Sequence, residues 1–169
     1  METRMKSRKE AVKYCYRYFR KERADNWEDM LMNKNNEALL CNLSANDNLS
    51  QTQLGKIYAK KIISTLGHLA INPATPLEML EMMYEKYTAQ EIVVALAHNK
   101  STPERILREL FARDEFEIYQ SLASNASVPL ELLDILKVDT RLQNELAENE
   151  IFVKEYETVL DYDKNAVQF

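Results

Sequence analysis

Two histidines, two cysteines and a surplus of carboxylates are the groups in this 169-residue chain that could do chemistry. His68 and His98 would be the general bases or the metal ligands. They stand four and one residues before a recurring asparagine, and neither has a Cys or Asp at metal-ligand spacing, so no zinc site is expected. Cys15 lies near Arg17, which favours a thiolate, yet it shares a helical stripe with Val12, Tyr16 and Phe19, where cysteine packs as a small hydrophobe. There is no Gly-x-Ser-x-Gly, Walker or His-Glu-x-x-His pattern. No carboxylate stands alone in an apolar setting that would raise its pKa for acid–base work. These side chains point away from catalysis, and neither a cofactor nor a metal is expected.

The elements that would position any site are written as a repeat. Leu-Ala-x-Asn occurs at Leu69–Asn72, Leu96–Asn99, Leu122–Asn125 and Leu146–Asn149, with a degenerate copy at Leu43–Asn46. From Asn46 onward the spacings are 26, 27, 26 and 24 residues, and a period of this size means stacked units. Eight residues after each Asn comes Leu54, Leu80, Leu107 or Leu133, and eleven after it Ile57, Met83, Leu110 or Leu136. Met79, Ile106 and Leu132 add the offset of seven, so these residues share one helical face. Seven before the Asn lie Leu39, Ile92, Ile118 and Leu142, with Thr65 as the exception, and each pairs i, i+4 with the Leu of the motif. Each unit is therefore expected to be two short helices.

The turn between them holds all four prolines, Pro73, Pro76, Pro103 and Pro129, three of them four residues after the Asn. Thr75 and Thr102 read as N-caps followed by proline at the first helical position. Glu78 and Glu131 fall where a capping-box carboxylate would reach back. The Asn suits a left-handed residue just past a helix end. The small Ala lets neighbouring helices approach. Helices are predicted to start near Pro76, Pro103 and Pro129 and to end near Asn72, Asn99, Asn125 and Asn149.

This grammar, Leu-Ala-x-Asn-x-x-Thr-Pro-x-Glu-x-Leu, resembles the leucine-rich repeat variant family over residues 39–150. The resemblance implies alternating α and 3₁₀ helices in a right-handed superhelix, and a scaffold that family members share without sharing one known activity. One class of the family carries an iron–sulfur cluster on a cysteine-rich N-terminal segment. This chain has only Cys15 and Cys41, so no cluster follows.

Composition fits an all-α protein. Only Gly55 and Gly67 are glycine, which argues against tight hairpins and phosphate loops. Two unspaced cysteines, no long apolar run and no signal-peptide core make the cytoplasm the expected location, with no membrane association. The net charge of −5 is unevenly spread. Residues 1–23 carry nine Lys/Arg against three Glu, interleaved with Tyr14, Tyr16, Tyr18 and Phe19. That segment reads as a helical cap over the first repeat. It reads alternatively as a nucleic-acid contact, with Arg17 and Lys21 on phosphates and Tyr14 and Tyr18 as the stacking platform. From Asp139 to Asp163 the chain is acidic, which suits a solvated face, or docking to a basic surface and so inhibition of a nucleic-acid-binding protein. Phe152, Val153, Tyr156 and Leu160 keep helical spacing and close the last repeat.

The expected architecture is a right-handed α-solenoid of about five two-helix repeats over 33–150, with a basic cap over 1–32 and an acidic cap over 151–169. The expected function is non-enzymatic protein binding. Two rows on the second helix of each unit vary along the stack: Cys41, Gly67, Val94, Gln120 and Asn144 five before the Asn, and Ala45, Ile71, His98, Ser124 and Glu148 one before it. Val94, His98, Gln120, Ser124, Asn144 and Glu148 are thus the candidate partner-binding residues.

Overall fold

Every described element is a helix or a turn, as the 3.6-residue spacing predicts. A computed structural model describes residues 37–156, the side chains of Ala38 and Leu39 excepted. The basic segment, with Tyr14, Cys15, Arg17, Tyr18 and Lys21, and the tail beyond Tyr156 lie outside the described residues. The helices are α1 (Glu37–Ser44), α2 (Gln51–Tyr58), α3 (Ile63–Ile71), α4 (Leu77–Lys86), α5 (Gln90–His98), α6 (Glu104–Phe111), α7 (Phe116–Ser124), α8 (Leu130–Leu136) and α9 (Gln143–Glu148). A 3₁₀ turn, Thr140–Leu142, leads into α9, and residues 150–156 are helical. The odd-numbered helices pack on one another in chain order. Of the even-numbered ones, α2, α4 and α6 each lie against the odd helices before and after them, and α8 lies against α7.

Burial follows the repeat. Leu54, Leu80, Leu107 and Leu133 on the even helices are fully enclosed, as are Leu66, Leu69, Leu96 and Leu122 on the odd ones. Ala70, Ala97 and Ala123 have no exposed surface, because the neighbouring helix covers each methyl. Thr65, the polar exception at its offset, is buried, with its Oγ1 3.8 Å from the Cys41 Sγ. Both sets of helices are α-helical; among the described residues the single 3₁₀ segment precedes α9.

The asparagines have a different role from the one their turn propensity suggests. Asn72, Asn99, Asn125 and Asn149 are extended, with φ between −69° and −88°, not left-handed. Each is buried, and its Nδ2 donates to two carbonyls of the preceding unit. Asn99 reaches Ala70 O at 2.6 Å and Asn72 O at 3.0 Å, and Asn125 reaches Ala97 O at 2.8 Å and Asn99 O at 3.1 Å. Asn72 bonds Ser44 O and Asn46 O, and Asn149 bonds Ala123 O and Asn125 O, in the same way. The Oδ1 meanwhile accepts from the backbone N–H two residues on, at Ala74, Ser101, Ser127 and Ile151. A helix end leaves unpaired carbonyls, and here the next unit's amide satisfies them. The left-handed residues are Lys61 and Asp114, each the third position of a four-residue loop, 59–62 and 112–115.

The threonines are also reassigned. Pro76, Pro103 and Pro129 are themselves the N-caps, with ψ near 140°, and make no side-chain cap bond, so Glu78 and Glu131 close no capping box. The true capping box is Ser50 with Gln53, at the proline offset of the first unit. Thr75 Oγ1 donates instead to Leu69 O at 2.6 Å, and Thr102 Oγ1 to Leu96 O at 2.7 Å, closing the preceding odd helix.

Helix α2, α4, α6 or α8 begins five residues after its Asn, and the helical run ending at the next Asn is nine residues long (63–71, 90–98, 116–124, 140–148). Spacing varies only in the even helices and the loops after them. The long 27-residue step contains the ten-residue α4; the short 24-residue step contains the seven-residue α8.

Asn99→Ala should cost on the order of 2–4 kcal/mol, because it leaves buried carbonyls and an N–H unpaired. Asn99→Asp should cost more at neutral pH, since a carboxylate would face two carbonyls. Its folded pKa would rise, so its stability deficit should shrink as pH falls toward about 4. Denaturant midpoints at pH 7 and pH 4.5 check this; equal deficits at both would contradict the geometry. Val128 occupies the threonine offset without a hydroxyl. Val128→Thr should therefore gain roughly 0.5–1.5 kcal/mol by bonding Leu122 O, and a loss in thermal unfolding would refute it.

Candidate functional site

Because α3, α5 and α7 pack side by side, the positions they do not bury form a continuous face. A groove of about 480 Å³ opens on that face, lined by residues that include Gly67, His68, Ile71, Glu91, Val94 and His98, with Ser64, Ala95 and Ser121 completing it. Gly67 sets its floor. A Cβ there would lie 3.7 Å from Glu91 O, so α3 and α5 nearly touch beneath the opening. Ile71 keeps 42 % of its surface exposed at the edge.

The six sequence-derived partner residues separate into three groups. Val94 and His98 line the groove. Gln120 and Ser124 bridge neighbouring odd helices: Gln120 Nε2 donates to Glu145 Oε1 at 3.0 Å, and Ser124 Oγ lies 3.4 Å from His98 Nδ1. Asn144 and Glu148 are exposed on α9 and do not line the groove. His68, Ser64 and Glu91 were missed. Their signal was present: offsets of eight, four and one before the Asn share one helical face, so His68 and His98 border one groove although their offsets differ.

The groove's polar groups do not converge as reactive sets do. The Ser124–His98 separation is longer than a general base needs, and Ser124 Oγ donates to Ser121 O at 3.2 Å. Among the described residues no three His, Cys, Asp or Glu side chains gather as metal ligands. No described helix is long and apolar enough to cross a membrane.

Charge differs between the two sides. On the even side several acids and bases are paired, Arg105 with Glu109 at 2.9 Å and Glu81 at 3.9 Å, Arg108 with Glu131 at 2.5 Å and Glu104 at 2.7 Å, and Lys137 with Asp134 at 3.0 Å, while Glu78 and Glu85 of α4 have no cation within ion-pair distance among the described residues. On the groove side Glu91, Glu117 and Glu148 have no cation within ion-pair distance among the described residues. Arg141, near α9, is held by Asp139 at 2.6 Å and lies over the Phe116 ring.

Comparison with family models, with curated proteins and with solved structures finds no match to this chain.

The pairing on the even helices has a pH signature. The Arg108 guanidinium holds Glu131 below the usual carboxylate range, the Tyr84 hydroxyl and then Arg105 do so for Glu109, and the Tyr156 hydroxyl and then Lys137 for Asp134. A lowered folded pKa stabilises above the unfolded value, about 4, and that contribution is lost as pH falls through the lower folded value. These groups are exposed, so each effect is small. Glu131→Gln with Glu109→Gln and Asp134→Asn should therefore flatten the fall of Tm between pH 5 and pH 3. An unchanged slope would show that these pairs do not hold in solution.

Proposed function

We propose that the chain is a right-handed α-solenoid of about five two-helix units, capped by helices at both ends. Its proposed function is that of a non-enzymatic module that binds a protein partner through the groove side of its odd helices. The observation that carries this reading is the contrast between buried and groove positions. The Leu, Ala and Asn at Leu69–Asn72, Leu96–Asn99 and Leu122–Asn125 are buried alike in each unit, whereas the groove positions change from Gly67 and Ile71 to Val94 and His98. A scaffold needs the first and not the second; a recognition surface uses the second. The long Ser124–His98 contact and the scattered carboxylates support binding over catalysis.

The basic, aromatic segment over residues 1–23 supports nucleic-acid binding as the second reading, with Tyr14, Arg17, Tyr18 and Lys21 as contacts. The unneutralised Glu91 at the groove weighs against nucleic acid there.

A photo-reactive side chain placed at Ile71 or at Ser124 should cross-link the same protein partner in cells, and one placed at Ile135 on α8 should not. Cross-links from Ile135 alone would move the surface to the other side. Oligonucleotide binding at physiological salt, lost in Arg17→Glu with Lys21→Glu, would favour the nucleic-acid reading.

A further inference from the structure

We infer that the groove takes a basic peptide segment anchored by one large apolar side chain, an assignment that rests on the groove side being the partner surface. Three observations bear on the occupant. The first is shape. The groove's volume of about 480 Å³ falls in the range of pockets that enclose a compact ligand, roughly 300–1,000 Å³. Its floor is Gly67, Val94 and Ala95, and Ile71 stands half in water at the edge. An apolar side chain seated there removes that surface from solvent.

The second observation is the wall. His68 and His98 line the groove, and an imidazole ring is a surface on which a planar guanidinium or an aliphatic stem can stack. Glu91 stands on the same wall.

The third is charge. Glu91 and Glu117 occupy the same offset on α5 and α7, in the first turn of each helix. The helix dipole favours a carboxylate there, but it supplies no cation. Helices α3, α5 and α7 hold no Lys or Arg, whereas α2, α4 and α6 hold Lys56, Lys86, Arg105 and Arg108, so the acids of the groove side have no cation on their own helices. An acidic or phosphate-bearing partner would meet like charge; a basic segment meets its complement.

The test is a selection of random 12-residue peptides displayed on phage against the full chain, followed by fluorescence-polarisation binding of the selected peptides. Two kinds of variant separate the outcomes. Gly67→Trp puts a large ring at a position that lines the groove, and its Cβ meets only ordinary contacts. Glu91→Lys with Glu117→Lys reverses the charge of the groove wall at Glu91 and of the equivalent exposed position on α7. Circular dichroism confirms that both fold, and Ile71→Arg serves as a second blocking variant at an exposed site. The expected result is peptides rich in Arg and Lys around Leu, Phe or Trp, weakened about tenfold or more by each variant. Acidic or neutral peptides blocked by Gly67→Trp would overturn the charge assignment and leave the groove as a docking site. Peptides indifferent to Gly67→Trp and Ile71→Arg, or no selected peptide at all, would defeat both readings of the groove. Concentration-dependent dimerisation abolished by Gly67→Trp would give the groove to a second copy of the chain instead.

Discussion

A buried primary amide that bonds two carbonyls of the unit before it is the interaction on which this structure depends. A short helix that ends inside a stack leaves carbonyl oxygens with no water to satisfy them. An asparagine has two amide hydrogens and one acceptor oxygen, and here each finds a backbone partner. The two donors tie the unit to its predecessor, and the acceptor shapes its own turn. The consequence is a fixed phase. The helix after Asn46, Asn72, Asn99 or Asn125 starts five residues on, and the run before Asn72, Asn99, Asn125 or Asn149 is nine residues long, while α4 and α8 absorb the variation in period. Hydrophobic burial is non-directional and would tolerate sliding of one helix on the next. The amide does not, because a slip would strand two buried carbonyls.

Much of this was legible in the chain, and the misreadings have one cause. The positions of Leu54, Leu80, Leu107 and Leu133, and the helix ends at the prolines and asparagines, follow from spacing alone. The roles of Asn and Thr do not. Asparagine is favoured both in left-handed turns and wherever a buried backbone needs a donor, and local propensity reports only the first. Thr75 and Thr102 stand beside a proline, which suggests a cap for the helix that follows, yet their hydroxyls point back to Leu69 and Leu96. In both cases the partner is a backbone carbonyl outside the residue's own helix start or turn: for Thr it lies six residues back at the end of the preceding helix, and for Asn it lies in the unit before, where only packing places it. The left-handed residues proved to be Lys61 and Asp114, in loops whose length, not residue type, demands the turn.

The groove was half legible for a related reason. Comparing one offset across units finds Val94 and His98, because each row is read along the stack. His68 and Glu91 belong to other offsets and join the site only because adjacent helices lie close enough for different rows to border one opening. Gln120 and Ser124 vary as recognition residues would, but they are engaged in bonds between helices. Variation along a repeat therefore marks the exposed side of the stack without separating groove residues from bridging ones.

The same ladder also changes character at Asn149. Its two donors bond Ala123 O and Asn125 O as those of Asn72, Asn99 and Asn125 bond the unit before them, but its Oδ1 accepts from both Ile151 N and Phe152 N. No proline turn follows; the backbone of residues 150–156 coils at once, and the ladder amide becomes the N-cap of that helix. Ala147 is exposed where Ala70, Ala97 and Ala123 are sealed. Phe152 and Tyr156 stack on each other, and Tyr156 donates to Asp134 of α8, so the helix folds back across the preceding unit. One side chain thus closes α9 and starts the helix that crosses α8. The geometry of the earlier turns shows what the missing proline would have done: it would have held residue 153 extended and carried the chain outward to another even helix.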